Sequence, residues 1–303
     1  MKHVMIFGAG QAGQMAAAWL PADQKLDGFI DNNEKLQGSI IDGIPVYSPD
    51  EAFRNRVPDR ILLAIINREA CKQIKDRLTD AGFTGEICTV HELRSKIDMR
   101  LASLRLLAKQ IRERDVPGSI AELGVYQGAF AAELNRLFPE RRLYLFDTFE
   151  GFAEEDLITE RKLGGRNAFA VAGDFSDTSV KIVLGTMSDP AHVYICQGRF
   201  PESLAQGAVS ANGDITVTAD DLNTEHFAGV SLDTDLYEPT MAGLRYFYPR
   251  LNPGGFILLH DYHSTQYPGV HRAAVEFFNE YGLYCTPIPD LHGTAVIIKG
   301  QSQ

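Results

Sequence analysis

The sequence predicts an α/β protein made of two doubly wound, parallel-sheet units of the Rossmann type. A strand, a glycine turn and a helix open in succession twice, at "HVMIFGAGQAGQMAAAWL" and at "GSIAELGVYQGAFAAELNRLF". After each opening, short apolar runs alternate with helical patterns, as parallel strands joined by right-handed crossovers require. The length of 303 residues also suits two domains better than one.

In the first unit an apolar strand, Val4 to Phe7, runs into Gly8, Gly10 and Gly13 and then an alanine-rich helix. A second strand follows in "LDGFIDN", a third in "RILLAI" and a helix in "REACKQIKDRLTDAG". We set this unit at residues 1–93. Residues 94–114 carry Ile97, Leu101, Leu104 and Leu107 at helical spacing, and "DVPGS" stops the helix. Residues 94–117 therefore read as a connector helix, which is close to calling it a core helix of the second unit.

The second unit, 118–303, starts with a strand ending at Glu122, a glycine turn from Gly124 to Gly128 and a helix. "RRLYLFDTFEGF" supplies a strand ending at Asp147, and later apolar runs are "HVYIC", "FAGVSLD", "GGFILLHD" and "TAVIIKG". The aromatic residues of "LRYFYPRL" read as core. The polar, glycine-containing stretch from Glu154 to Gly173 reads as a mobile lid.

Composition narrows the partners. The chain is 45% hydrophobic and 23% charged, an ordinary soluble balance. A formal net charge of −11 argues against nucleic acid, whose phosphates call for a basic surface, and gives no reason to expect an anionic membrane. Cys71, Cys88, Cys196 and Cys285 are scattered without a CxxC pair, so neither a zinc knuckle nor a disulfide scaffold is indicated. The opening "MKHVMIFGAG" lacks signal-peptide architecture, and no apolar stretch approaches the ~20 residues of a membrane span. A cytoplasmic setting is expected.

"GAGQAG" fits G-x-G-x-x-G in a strand-to-helix context. Gly8, Gly10 and Gly13 permit a tight turn and close backbone approach, and Asp31, about 20 residues on, can accept ribose hydroxyls. The segment "LDGFIDNNEKLQGSIIDGIPVYSPDE" resembles the small N-terminal domain of bacterial sugar acyltransferases and related sugar-nucleotide enzymes. That resemblance implies a nucleotide or nucleotide-sugar ligand. The alternative is a degenerate unit serving as scaffold or dimer interface.

"AELGVYQG" sets an acid at a strand end before G-x-x-x-G, and resembles the nucleotide loop of S-adenosylmethionine methyltransferases. That cofactor has a sulfonium and an amino-acid tail and no phosphate. Close backbone approach at Gly124 and Gly128, and an acid at Glu122 for the amino group, suit it. Tyr126 lies in the loop. Asp147, followed by Thr148, closes the next strand, where a carboxylate can take both ribose hydroxyls; the plainer alternative for Asp147 is a helix cap.

Two further strands end in clusters, "SLDTDLYEPT" and "GGFILLHDYHS". In a parallel sheet the carboxyl ends form the ligand crevice, so Asp233, Asp235, His260 and Asp261 share that edge. Adjacent strands would bring Asp233 near Asp261, where unpaired carboxylates repel. A divalent cation relieves the repulsion: oxygen ligands suit Mg²⁺, and an added imidazole leaves room for Mn²⁺. Helix caps and salt bridges without a metal are the alternative.

The block from "SLDTDLYEPT" to "HRAAVEFF" resembles the macrocin-type (TylF/MycF) O-methyltransferases. "ELGVYQG", "LYLFDTFEGF", "GDFSDTSV" and "GRFPESL" resemble that family's other blocks in the same order, over residues ~100–298. The resemblance implies a class I methyltransferase fold. It also implies methyl transfer from S-adenosylmethionine to a sugar hydroxyl with Mg²⁺ at the acceptor, in carbohydrate biosynthesis. By position, Asp233 matches the family's first metal aspartate and proposed base, and His260 and Asp261 match its adjacent aspartate pair. The histidine departs from that pattern.

The expected mechanism is metal-assisted transfer, with Asp233 or His263 taking the hydroxyl proton. Asp235 is expected to back the metal ligands or to contact the acceptor, and His263 could equally be a surface histidine. Arg199 reads as lining the site or as a surface ion pair, and Tyr237 and Tyr262 as sugar-stacking or packing residues. The expected partner is a small sugar, possibly nucleotide-linked, and relatives of both halves tend to self-associate, so a homo-oligomer is expected. Two alternatives stay open: an NAD-dependent nucleotide-sugar oxidoreductase using "GAGQAG", and a non-catalytic nucleotide-sensing scaffold.

Overall fold

A computed structural model describes residues 1–21, 23–52, 57–94, 98–163 and 170–300. The chain divides into two compact units. One holds Met1–Arg100 with Pro289–Gly293, the other Leu101–Ile288 with the chain from Thr294 onward.

The first unit contains β1 (Lys2–Phe7), α1 (Gln11–Ala17), β2 (Gln24–Ile30), β3 (Ile40–Ile41), β4 (Ile44–Tyr47), α2 (Pro49–Ala52), β5 (Arg60–Leu63), α3 (Arg68–Asp80), β6 (Glu86–Thr89) and α4 (Val90–Arg94). Its sheet order is β3-β4-β2-β1-β5-β6, parallel except for the short β3–β4 hairpin. Chain direction across the sheet reverses beside β1, so the "GAGQAG" turn sits at the switch point, where such sheets take ligands. Ile6, Phe29, Val46 and Leu62 pack one face and Phe7, Ile30, Ile61 and Leu63 the other, the alternation expected of strands covered on both sides.

Helix α5 (Met99–Glu113) occupies the predicted connector stretch and buries Leu104, Ala108 and Ile111. Ile97, part of that predicted stripe, lies outside the described residues.

The second unit continues with β7 (Ser119–Leu123), α6 (Ala129–Leu137), β8 (Leu143–Asp147), α7 (Glu154–Leu163), α8 (Val180–Thr186), β9 (Val193–Gln197), β10 (Ala208–Ser210), β11 (Thr216–Val217), α9 (Ala219–Thr224), β12 (Phe227–Leu232), α10 (Tyr237–Arg250), β13 (Leu251–Leu259), α11 (Pro268–Tyr281), β14 (Thr286–Pro287) and β15 (Ala295–Ile298). The order is β11-β10-β9-β8-β7-β12-β13-β15-β14. The five central strands are parallel, while β10, β11 and β15 pair antiparallel to their neighbours. Those reversed edges are not visible in the alternation of the sequence.

The switch point of this sheet lies between β7 and β12. Every residue of both strands is buried. The core beside them is aromatic: Phe146, Phe200, Phe227 and Phe247 pack mostly edge-to-face at 5.1–5.8 Å. Tyr246, Phe247 and Tyr248 of the "LRYFYPRL" run are buried. Part of the predicted lid forms α7, and residues 164–169 of that stretch lie outside the described residues. No helix among the described residues is long and apolar enough to cross a membrane.

Candidate functional site

The glycine turn after β7 is tied to the end of β12. Gly124 has φ +84°, and a Cβ there would lie 1.9 Å from the carbonyl oxygen of Asp233. Asp233 N–H in turn donates to Leu123 O at 2.8 Å. Gly128 also has a left-handed backbone, φ +83°, and caps α6. Glu122, one residue before the end of β7, is buried at 1% exposure beside this turn.

Asp147 braces the same turn. One carboxylate oxygen accepts from Val125 N (2.6 Å) and Tyr126 N (3.0 Å), the other from Phe149 N (2.7 Å). Thr148 shapes the following bend, donating to Gly151 O and accepting from Glu150 N. Tyr126 extends outward, and its hydroxyl donates to Asp177 at 3.0 Å; that bond holds the phenol above its usual pKa.

The predicted clusters at the ends of β12 and β13 meet. Carboxylate oxygens of Asp233, Asp235 and Asp261 lie within 4.8 Å of one another. His260 Nδ1 is 2.8 Å from Asp233 Oδ1 and 2.9 Å from Asp261 Oδ2, so one imidazole spans both acids. Burial pushes the Asp261 carboxyl up, but the His260 imidazole against it and a hydrogen bond with Asp235 outweigh that and the Asp233 charge, and the group ends below its usual range. Sequence reasoning put Asp235 at this edge, behind the metal ligands or against the acceptor, and not among the ligands themselves. It joins the carboxylate group because its left-handed backbone (φ +58°) swings the chain round after β12.

His263 is not in that group. Its ring packs against Tyr262 at 4.7 Å and His271 at 6.1 Å. Tyr262 packs against the core, and burial raises its phenol to about 12. Tyr237 donates its hydroxyl to Glu276 at 2.6 Å. Arg199 pairs with Asp156 at 2.5 Å, the ion-pair alternative.

Two features escaped the sequence. Tyr267 is buried, and burial, then Asp235, Asp261 and Asp174, hold its phenol well above the usual range. An aromatic string runs from Tyr126 through Phe175 and Phe152 to Tyr267, with centroids 5.2, 5.1 and 6.3 Å apart. Backbone strain gathers in the same segments: Tyr126, Phe149, Phe175, Asp235 and Asp261 all have positive φ. Such strain persists where surrounding contacts over-determine it, which is common at functional sites.

In the first unit the three glycines differ. Gly8 has φ +105°, and a Cβ on Gly13 would sit 1.8 Å from Gly8 O, so these two serve the turn and the close helix–strand packing. The Cβ position of Gly10 faces open space. Asp31 accepts from Ala9 N at 2.8 Å, bracing its loop as Asp147 braces the second.

The model of the macrocin-O-methyltransferase (TylF) family matches residues 94–299. The chain belongs to this family. It is 27% identical over 208 residues to the 8-demethyl-8-(2,3-dimethoxy-alpha-L-rhamnosyl)-tetracenomycin-C 4'-O-methyltransferase of Streptomyces olivaceus, covering 65% of this chain and 71% of that protein. It is 25% identical over 198 residues to the mycinamicin III 3''-O-methyltransferase of Micromonospora griseorubida, covering 61% and 69%. Among solved structures, the calicheamicin methyltransferase CalS11 superposes with a TM-score of 0.54 at 20% identity, over 78% of this chain and 95% of that one, a likeness of fold. The family makes the chain an S-adenosylmethionine-dependent O-methyltransferase with a class I methyltransferase fold in its second unit. The oxidoreductase and scaffold alternatives give way to that assignment.

Proposed function

We propose that the second unit transfers a methyl group from S-adenosylmethionine to a sugar hydroxyl, with a divalent cation on the acceptor side. The observation that carries this is the convergence of Asp233, Asp235 and Asp261 at the end of the strand that touches the Gly124 turn. The relative whose name carries a dimethoxy-rhamnosyl group on tetracenomycin C supports a sugar acceptor.

The donor set fits a hard cation: three carboxylates within 4.8 Å would hold Mg²⁺ or Mn²⁺, with His260 at hand as a nitrogen donor. A cation held there would lower the pKa of the acceptor hydroxyl. Asp233 takes the proton from that hydroxyl, and His263, outside the carboxylate group, is the weaker candidate. As the oxygen bonds to the methyl carbon, the carbon–sulfur bond breaks, leaving S-adenosylhomocysteine. The Gly124–Gly128 turn, Glu122, and Tyr126 and Thr148 around the bracing Asp147 hold the donor; β12 and β13 hold the acceptor at reacting distance. Calorimetry with S-adenosylhomocysteine, with and without Mg²⁺, tests the reading. No binding at all would refute it.

For the first unit we propose a nucleotide or nucleotide-sugar ligand on the loop of Gly8, Gly10 and Gly13 beside Asp31. The open space at Gly10 supports this, since neither the turn nor the helix packing explains a glycine there. Heat stabilisation by nucleoside-diphosphate sugars tests it.

A further inference from the structure

Helices α10 and α11 begin without help from their own caps. Their N-cap residues, Leu236 and Tyr267, supply no side-chain hydrogen bond. The first turn of a helix leaves N–H groups without intrahelical partners, and buried ones need an acceptor. Glu160, from the last turn of α7, provides it for both. Its Oε2 accepts from Tyr237 N at 3.1 Å and its Oε1 from Gly269 N at 2.9 Å. The carboxylate is 1% exposed. A Cβ on Gly269 would lie 2.0 Å from Glu160 Oε2, so the glycine makes room for this contact.

These helix starts are the ends of the acid-bearing loops. Tyr237 comes two residues after Asp235, and the loop into α11 begins at Asp261. Further contacts fix α7 itself: Leu157 is fully buried in the core, Thr159 donates to Glu238 at 2.9 Å, and Asp156 pairs with Arg199. The donor side, by contrast, is held by the Gly124 turn and Asp147.

We propose that Glu160 is a positioning residue for the acceptor side of the site, one carboxylate holding two loops so that Asp233, Asp235 and Asp261 converge. This rests on the cation-assisted reading above. It assigns α7 the task of holding both acid-bearing loops in place.

The full chain is compared with Glu160→Gln, Glu160→Asp and Gly269→Ala. The glutamine turns one acceptor into a donor, the aspartate cannot span both amides, and the alanine displaces the glutamate from the opposite side. Three quantities are read: affinity for S-adenosylhomocysteine by calorimetry, affinity for Mn²⁺ alone by electron paramagnetic resonance, and amide exchange across 234–237 and 264–269. Each variant is expected to keep S-adenosylhomocysteine affinity within about twofold, lose Mn²⁺ affinity roughly ten- to a hundredfold, and exchange faster at both loops. Unchanged Mn²⁺ affinity with faster exchange at Tyr237 and Gly269 overturns the role. Parallel loss of both ligands overturns it too, because general destabilisation then explains the result. A wild-type chain that takes up no Mn²⁺ would sink the cation reading instead. Exchange then decides Glu160: its role stands if the faster exchange spreads through both loops, and falls if it stays at the two amides.

Discussion

The carbonyl oxygen of Asp233 lies 1.9 Å from where a Cβ on residue 124 would stand, so the glycine turn proposed to hold the donor and the aspartate proposed for the acceptor side are packed as one object. Gly124 meets two demands at once, the left-handed φ of +84° and this contact. Gly124→Ala must push β7 and β12 apart at the switch point. We expect it to lose about 1–3 kcal/mol of stability, seen in thermal unfolding, and to weaken S-adenosylhomocysteine binding and turnover together. A variant that loses turnover alone would contradict the shared packing.

Asp147 shows a similar economy. Its carboxylate accepts three amide hydrogen bonds, two from the donor loop, before any ligand arrives. Asp147→Ala leaves the Val125 and Tyr126 amides without that acceptor. With hydrogen bonds to charged groups contributing roughly 1.5–3 kcal/mol, S-adenosylhomocysteine affinity should fall about tenfold or more, measured by calorimetry. Unaltered affinity would mean that the brace is dispensable.

The legible part of this molecule is the part governed by local rules. Gly8, Gly13, Gly124 and Gly128 announce their turns, because nothing else tolerates those backbones or those contacts. Asp233, His260 and Asp261 follow long apolar runs, and the parallel sheet then brings them to one edge. What stays hidden depends on distant partners. Asp235 enters the acid group through a left-handed backbone that an aspartate does not advertise. Glu160 sits 77 and 109 residues from the amides it caps, and its own helix, acidic and basic in turn, reads as a solvated surface. Strands β11 and β14 are two residues long, too short for any alternation to register.

Gly10 and Gly13 offer a paired test of the first unit. A methyl on Gly10 meets no atom within 4 Å, whereas one on Gly13 would lie 1.8 Å from Gly8 O. Gly10→Ala should therefore unfold at the wild-type temperature while losing any stabilisation by nucleoside-diphosphate sugars. Gly13→Ala should unfold several degrees lower, since overpacking costs about 1–3 kcal/mol. Retained nucleotide protection in Gly10→Ala would mean that the nucleotide binds away from this loop.

Asp233→Asn removes the proposed proton acceptor while keeping the shape of the turn. Turnover should fall about a hundredfold or more, the usual scale for a lost general base. S-adenosylhomocysteine affinity should be unchanged, because the contact with Gly124 is made by the backbone carbonyl of residue 233. Full activity would refute the assignment of Asp233.

His260 is the residue by which this site departs from an adjacent pair of aspartates, and its imidazole occupies hydrogen-bonding positions toward both Asp233 and Asp261. His260→Asp replaces that bridge with a fourth carboxylate. The acids then repel one another unless a cation is present, while cation affinity rises with ligand charge. Two opposite shifts are expected. Without divalent ions the variant should unfold at a lower temperature than the wild type, and in Mg²⁺ it should recover, with Mg²⁺ affinity raised by roughly tenfold. Unfolding curves in chelator and in Mg²⁺ read both at once. If the gap between the two curves is no wider in the variant than in the wild type, then the acid group does not hold a cation and His260 alone keeps these carboxylates together.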